Sequence, residues 1–229
     1  MSDFSRQHKL TGGEGQKRLS VAHVAVFGIG GVGGHAAEAI ARSGAGAITL
    51  IDKDDVEASN INRQLIALVS TIGQPKAELM KARIQDINPD CRVSAKKVFV
   101  TPENIVGLLE GITYAVDAVD NVTAKLAIIS ACRDMGIPVI SAMGAGNRVK
   151  GVFRVMDISE TKDDALAKVM RRELKKRGIE RVKVSCCDEP AALSRSADEP
   201  VSSISYIPGL CGLTLAGEAI RDIINAGNG

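Results

Sequence analysis

Apolar positions along the chain follow two rhythms, and the two alternate. VAHVAVFG (21–28) is a short apolar run of β-branched character that ends on glycines, which predicts a buried strand. VGGHAAEAIARS (32–43) carries a helical pattern after its glycines, and AITLID (47–52) reads as a second strand. In KAELMKARIQDIN (76–88), Leu79, Met80, Ile84 and Ile87 recur at helical spacing, and Asn88-Pro89 stops the helix. CRVSAKKVFV (91–100) alternates and predicts a strand. TPENIVGLLEG (101–111) predicts a helix with Thr101 as cap, Pro102 at its first position and Gly111 past its end. A strand over 114–120, a helix over 122–135 and a strand over 138–143 complete this series.

Five strands separated by helices predict an α/β fold: a Rossmann-like, doubly wound, mostly parallel sheet with helices on both faces. After Gly146 the pattern changes to a C-terminal strand and helix extension. VFRVMDI (152–158) alternates weakly as a strand, and ALAKVMRRELKKRG (165–178) is an amphipathic helix. Residues 185–203 read as a mobile loop, and 209–224 as a final buried helix with small residues at close-packing positions. We read 1–146 as a nucleotide-binding half and 147–229 as a partner-facing half of the same domain.

Composition narrows the function. There is no Trp, and Phe and Tyr number four and two, so aromatic platforms for stacking bases are not expected. MSDFSRQHKL has no apolar core of a secretory signal, and no apolar run reaches the roughly 20 residues that span a bilayer. Five cysteines without a CxxC pair argue against a disulfide framework or structural zinc, and with the N-terminus they predict a cytoplasmic protein. The net charge is only +2, yet residues 168–183 hold eight Lys or Arg against two Glu, a local +6. That asymmetry points to a polyanionic partner on one face, the alternative being a solvated helix face.

The glycine cluster GIGGVG, with Gly28, Gly30, Gly31 and Gly33, satisfies G-x-G-x-x-G between a strand and a helix. Glycine lets the backbone approach a phosphate, and the helix N-terminus offers free N–H groups and partial positive charge. Asp52 ends the second strand, where a carboxylate reaches a ribose hydroxyl. Between NAD and ATP this motif is nearly silent; three later segments favour ATP. SNINRQ (59–64) brings Arg63, whose planar fork suits a triphosphate. GQPKAE (73–78) places Lys76 in the first turn of a helix, a poor place for a cation unless an anion is near. DAVDN (117–121) ends a strand at the edge facing the ligand crevice, where Asp120 is placed to hold Mg²⁺. Each has a plainer reading: Arg63 as a surface residue, Lys76 as a solvated side chain, Asp120 as a helix N-cap.

In this order, GIGGVG, Asp52, SNINRQ, the spacing of Gly73 to Ala77, and DAVDN resemble the ubiquitin-activating-enzyme-like superfamily, which includes adenylyltransferases that activate sulfur-carrier proteins. FSRQHKLTGGEGQKRL, SAMGAGN (141–147) and LAKVMRRELKKRGI (166–179) most resemble its tRNA threonylcarbamoyladenosine dehydratases. The resemblance implies that Gly31 and Asp52 hold the nucleotide. It implies that Asn60, Arg63 and Lys76 engage phosphates, and that Asp120 binds Mg²⁺ with Asn121 beside it. Arg6 matches an arginine that relatives insert into a neighbouring subunit's site, which implies a homodimer. The implied reaction is ATP-dependent adenylation of the threonylcarbamoyl carboxylate on an adenosine beside the tRNA anticodon, followed by cyclisation. The basic run Lys168, Arg171, Arg172, Lys175, Lys176, Arg177, Arg181 and Lys183 is then expected on tRNA phosphates. The competing reading within the superfamily is activation of a sulfur-carrier protein's C-terminal glycine, in partnership with a carrier or cysteine-desulfurase system. Two further alternatives are a nicotinamide-dependent dehydrogenase and a non-catalytic tRNA- or partner-binding module that retains a nucleotide fold. The chain departs from sulfur-carrier activators in lacking paired CxxC sites. It departs from the dehydratases in lacking an aspartate-proline after Asn147. Cys186 and Cys187 lie near the region where some superfamily members carry a cysteine for a thioester or persulfide; the preferred reading is a buried or incidental thiol.

Overall fold

The computed structural model describes residues 3–187, 189–192 and 201–226. Seven strands form one sheet: β1 (His23–Phe27), β2 (Ala47–Ile51), β3 (Arg92–Lys96), β4 (Tyr114–Asp117), β5 (Val139–Ala142), β6 (Phe153–Asp157) and β7 (Lys183–Cys187). Their order is β3-β2-β1-β4-β5-β7-β6. Every neighbouring pair is parallel except β6 with β7. The chain runs outward from β1 to β3 and then crosses back to β4, so the reversal of winding falls between β1 and β4.

Alternation within the strands splits the core in two. Val24 and Val26 face one cluster, together with Leu19 of α1 (Ser5–Val21), Ile40 of α2 (Gly33–Arg42), Met80 of α3 (Lys76–Ile87) and Leu215 of α7 (Tyr206–Asn225). Ala25 and Phe27 face the other, with Ile105 of α4 (Ile105–Leu108) and Ile128 of α5 (Val122–Asp134). A third cluster seats Met170 and Leu174 of α6 (Ala165–Lys175) against Ile129. Both faces of the sheet are therefore covered, as near-continuous apolar strands require. The small residues of α7 do what their spacing predicts: a Cβ at Gly212 would run into the Val32 carbonyl at the start of α2.

Several elements differ from the sequence expectation. The helix expected over 101–111 is a single turn. Asn104, not Thr101, is its N-cap residue, and the Asn104 side chain instead takes the Thr101 N–H and donates to the Phe99 carbonyl. The strand expected to reach residue 100 ends at Lys96. Ser185–Cys187 belong to β7 rather than to a loop. Of the remaining residues read as a mobile loop, Asp188 and 193–200 lie outside the described residues. The N-terminal helix α1 was hidden by three glycines, and it kinks at Gly12 with φ +68°.

Under the carboxyl ends of β4 and β5 lies a fully buried polar triad. Lys125 Nζ lies 3.0 Å from Asp117 Oδ2 and donates to Ser141 Oγ at 3.2 Å; Ser141 Oγ donates to the same carboxylate at 2.6 Å. Asp117 Oδ1 also accepts the Val119 N–H, so the triad fixes the chain leaving β4. Removing one member strands a buried charge. Lys125→Met is expected to cost about 3–5 kcal/mol in denaturant unfolding, and the Asp117→Leu/Lys125→Met double variant to regain most of that. A single-variant loss under roughly 1 kcal/mol would contradict this.

Candidate functional site

Strand β1 delivers the chain to Gly28, whose φ of +83° suits glycine. A Cβ there would press to 2.8 Å from the Ala118 carbonyl, so the turn lies against the exit of β4. Gly33 opens α2 directly beneath; a Cβ at this position would collide with the Gly28 carbonyl. These two glycines shape the turn, while Gly28, Gly30 and Gly31 line a cleft of about 940 Å³ at the carboxyl edge of the sheet. Gly33 does not line it. No side chain caps the start of α2, which leaves that helix terminus suited to an anion.

Asp52 follows β2 and is 9 % exposed. Its Oδ2 accepts the Ile29 N–H at 2.6 Å and its Oδ1 accepts the Asp54 N–H at 2.8 Å. Burial pushes this carboxyl above the usual range, opposed by those two hydrogen bonds and by Lys76. Asp52 is thus a clamp on the glycine turn as well as a cleft-lining acceptor.

The cationic wall follows. Lys76 begins α3, is 6 % exposed, and meets Asp54 Oδ2 at 3.4 Å, which supplies the compensating anion its helix position calls for. Arg63 packs its Cγ toward Gly31, and its Nη1 donates to the Ser59 carbonyl and the Asn62 side chain at 2.8 and 2.9 Å. Asn60 is buried and accepts the Glu57 N–H at 3.1 Å, bracing the 3-10 turn over Ala58–Asn60. Asn60, Arg63, Lys76, Asp120 and Asn121 all line the cleft. Asp120 is exposed there. The N-cap of α5 is Asn121, which accepts the Ala124 N–H at 3.0 Å, so capping does not occupy Asp120. Arg6 lies exposed on α1 and does not line its own chain's cleft.

Sequence reasoning missed the opposite wall. Arg148 and Asp164 are both buried and 3.2 Å apart. Asp164 also accepts the Gly144 N–H and caps α6 through the Ala167 N–H. The loop after β5 and the start of the basic helix are therefore joined at one carboxylate. The cap was legible as an aspartate before an apolar helical run; its arginine partner, sixteen residues earlier, was not. Asp54 was missed for a similar reason, since its pairing with Lys76 spans 22 residues.

The basic run is not one helix. Helix α6 ends at Lys175, and Lys183 starts β7, where it pairs with Glu218 and Asp222 and is withdrawn from any cationic face. Arg171 is half-buried and donates to the Thr161 carbonyl. Lys168, Arg172, Lys175, Lys176, Arg177 and Arg181 remain exposed. Arg172, Lys176 and Arg177 share Glu173. Cys186 and Cys187 are buried in β7, as expected. Among the described residues no helix is long and apolar enough to cross a membrane, and no cluster of His, Cys, Asp and Glu is arranged to hold a metal.

The ThiF family model matches residues 4–229. A tRNA threonylcarbamoyladenosine dehydratase of Bacillus subtilis is 43% identical, over 98% of this chain and 95% of the relative. The crystal structure of the E. coli tRNA N6-threonylcarbamoyladenosine dehydratase TcdA in complex with ATP superposes with a TM-score of 0.91 at 35% identity, covering 98% of this chain and 95% of that one. A molybdopterin-synthase adenylyltransferase of Salmonella typhimurium is 33% identical over 70% of this chain and 64% of its own length. The chain belongs to the ThiF family.

Proposed function

We propose that this protein is an ATP-dependent tRNA threonylcarbamoyladenosine dehydratase. The observation that carries the reading is a single cleft at the winding reversal, lined by Gly28, Gly30, Gly31, Asp52, Arg63, Lys76 and Asp120, with the start of α6 in its wall. Near-full-length similarity to the B. subtilis dehydratase, and to the E. coli enzyme bound to ATP, supports ATP as the nucleotide and modified tRNA as the substrate. The carrier-activating alternative is supported over a smaller share of the chain.

The chemistry needs alignment and charge neutralisation rather than a protein nucleophile. A carboxylate oxygen of the threonylcarbamoyl group bonds to the α-phosphorus of ATP, and the bond to pyrophosphate breaks. A nitrogen of the carbamoyl group then attacks the acyl carbon, loses its proton, and AMP departs; the nucleoside has lost one water. In this reading the backbone of the glycine turn and Asn60 face the phosphates, and Arg63 and Lys76 offset their charge. Asp52 takes the ribose while clamping the turn. Gly33 contributes by holding α2 tight beneath Gly28. An exposed carboxylate at the cleft fits Mg²⁺, which takes one or two protein oxygens alongside phosphate and water, so Asp120, with Asn121 beside it, would hold that ion. Bound there, the ion supplies charge neutralisation to the phosphates. An exposed Arg6 absent from its own cleft suits a homodimer in which it reaches the other copy's phosphates. The division into a nucleotide half (1–146) and a partner-facing half (147–229) follows, with α6 presenting its cations to the anticodon region of a cytoplasmic tRNA.

The direct test is incubation with ATP, Mg²⁺ and threonylcarbamoylated tRNA, followed by nucleoside mass analysis. Loss of one water from the modified base is expected; carrier-dependent, tRNA-indifferent pyrophosphate exchange would overturn the assignment. Asp120→Asn is expected to cut turnover by roughly 10²-fold while leaving the melting temperature nearly unchanged, since surface changes usually lie within about 0.5 kcal/mol. A melting shift as large as that of a core variant would remove Asp120 from the chemistry. Replacing Lys175 and Arg181 with Ala should weaken tRNA binding and lower its salt slope by about one per lost phosphate contact, with ATP affinity intact. An unaltered slope would turn the basic segment over 168–181 away from RNA.

A further inference from the structure

Four side-chain oxygens among the described residues are buried without a hydrogen-bond partner: Asp55 Oδ1, Gln64 Oε1, Ser130 Oγ and Ser203 Oγ. Asp55 is satisfied electrostatically by Lys97, whose Nζ lies 2.6 Å from that oxygen. Ser130 lies within α5, away from the cleft. The other two, Gln64 and Ser203, both line the cleft. Two orphans in one cleft are notable because each buried, unpaired polar group costs about 1–3 kcal/mol.

Both are held in place by their neighbours. Gln64 is 8 % exposed; its N–H donates to the Asn60 carbonyl at 3.0 Å, and its own carbonyl accepts the Ala67 N–H at 3.1 Å. Its carboxamide lies over the glycine turn, with Nε2 3.7 Å from where a Gly30 Cβ would sit. The segment carrying Ser203 is tied to the 59–64 segment that carries Gln64, because Asn62 Nδ2 donates to the Ser203 carbonyl at 3.0 Å.

The chemistry of the missing partner follows from what an amide oxygen requires. Gln64 Oε1 needs a donor, and neither a phosphate chain nor an ionised carboxylate carries one at neutral pH. The ribose hydroxyls fall to Asp52. In the proposed reaction the donors near the reacting carboxylate are the threonyl hydroxyl and the N–H of the adjoining carbamoyl group. The planar carbamoyl group sets a donor beside a carbonyl acceptor, which matches an unpaired amide oxygen and an unpaired hydroxyl together. We infer that Gln64 and Ser203 form a recognition pair for that carbamoyl group. Gln64 accepts its N–H, and the Ser203 hydroxyl donates to its carbonyl oxygen. The pair positions the substrate and selects for it; neither residue transfers a proton. This inference rests on the dehydratase reading and adds to it the residues that read the substrate.

The test uses full-length wild type, Gln64→Leu and Ser203→Ala, with tRNA carrying or lacking the threonylcarbamoyl group. Gln64→Leu removes an unpaired buried acceptor, so its melting temperature without ligand should hold or rise, where a structural residue would lower it. Its ATP affinity should stay within about twofold, while kcat/KM for modified tRNA falls about tenfold or more. The preference in binding modified over unmodified tRNA should shrink in both variants. Unchanged discrimination with unchanged kcat/KM would overturn the inference. So would a melting temperature lowered in step with activity, or a tenfold loss of ATP affinity, which would assign Gln64 to the nucleotide. Failure of the wild type to dehydrate modified tRNA would instead remove the functional reading, and the inference with it.

Discussion

The Asp52 carboxylate, at the end of the second strand, holds the amide of Ile29 in the glycine turn at 2.6 Å. Through that contact the positions of the turn, the start of α2 and the floor of the cleft become one problem. The carboxylate is buried, and burial alone disfavours its charge. Two backbone N–H groups and the Lys76 ammonium oppose part of that cost, which couples the clamp to the cationic wall that faces the cleft. Structural and ligand-binding demands converge on the same few atoms.

A similar economy governs the cations. Lys76 lies by Asp54, and one nitrogen of Arg63 is held by its own turn. Neither is a free charge waiting in solvent. These local partners order the wall beforehand, which in the proposed reading reduces the entropy lost when a polyphosphate binds. Across the cleft, Asp164 joins the loop after β5 to the cap of α6. The loop after β5 and the start of α6 therefore meet at one buried ion pair.

Much of this was legible in the residues, because the relevant signals are local. Glycines between a strand and a helix, an acid closing the next strand, and apolar rhythm over 76–88 or 122–135 all act within one or two turns of chain. What stayed hidden is long-range or masked. The glycines in α1 obscured a helix that packs against α7. A five-residue strand, β7, was lost in a polar context because its burial comes from β5 and β6 on either side. Lys183 looked like part of a basic stripe until the fold placed Glu218 and Asp222 beside it. The Arg148–Asp164 pair and the Lys125–Asp117–Ser141 triad are defined only once separate strands, helices and loops lie side by side.

The central claim is that a carboxylate oxygen on the tRNA substrate becomes bonded to the α-phosphorus of ATP. Substrate labelled with ¹⁸O in the threonylcarbamoyl carboxylate tests it most directly, with the products read by mass spectrometry. The account predicts one ¹⁸O in the AMP released, because ring closure breaks the acyl carbon–oxygen bond and leaves that oxygen on phosphorus. Unlabelled AMP, or ADP formed with the label in inorganic phosphate, would contradict it.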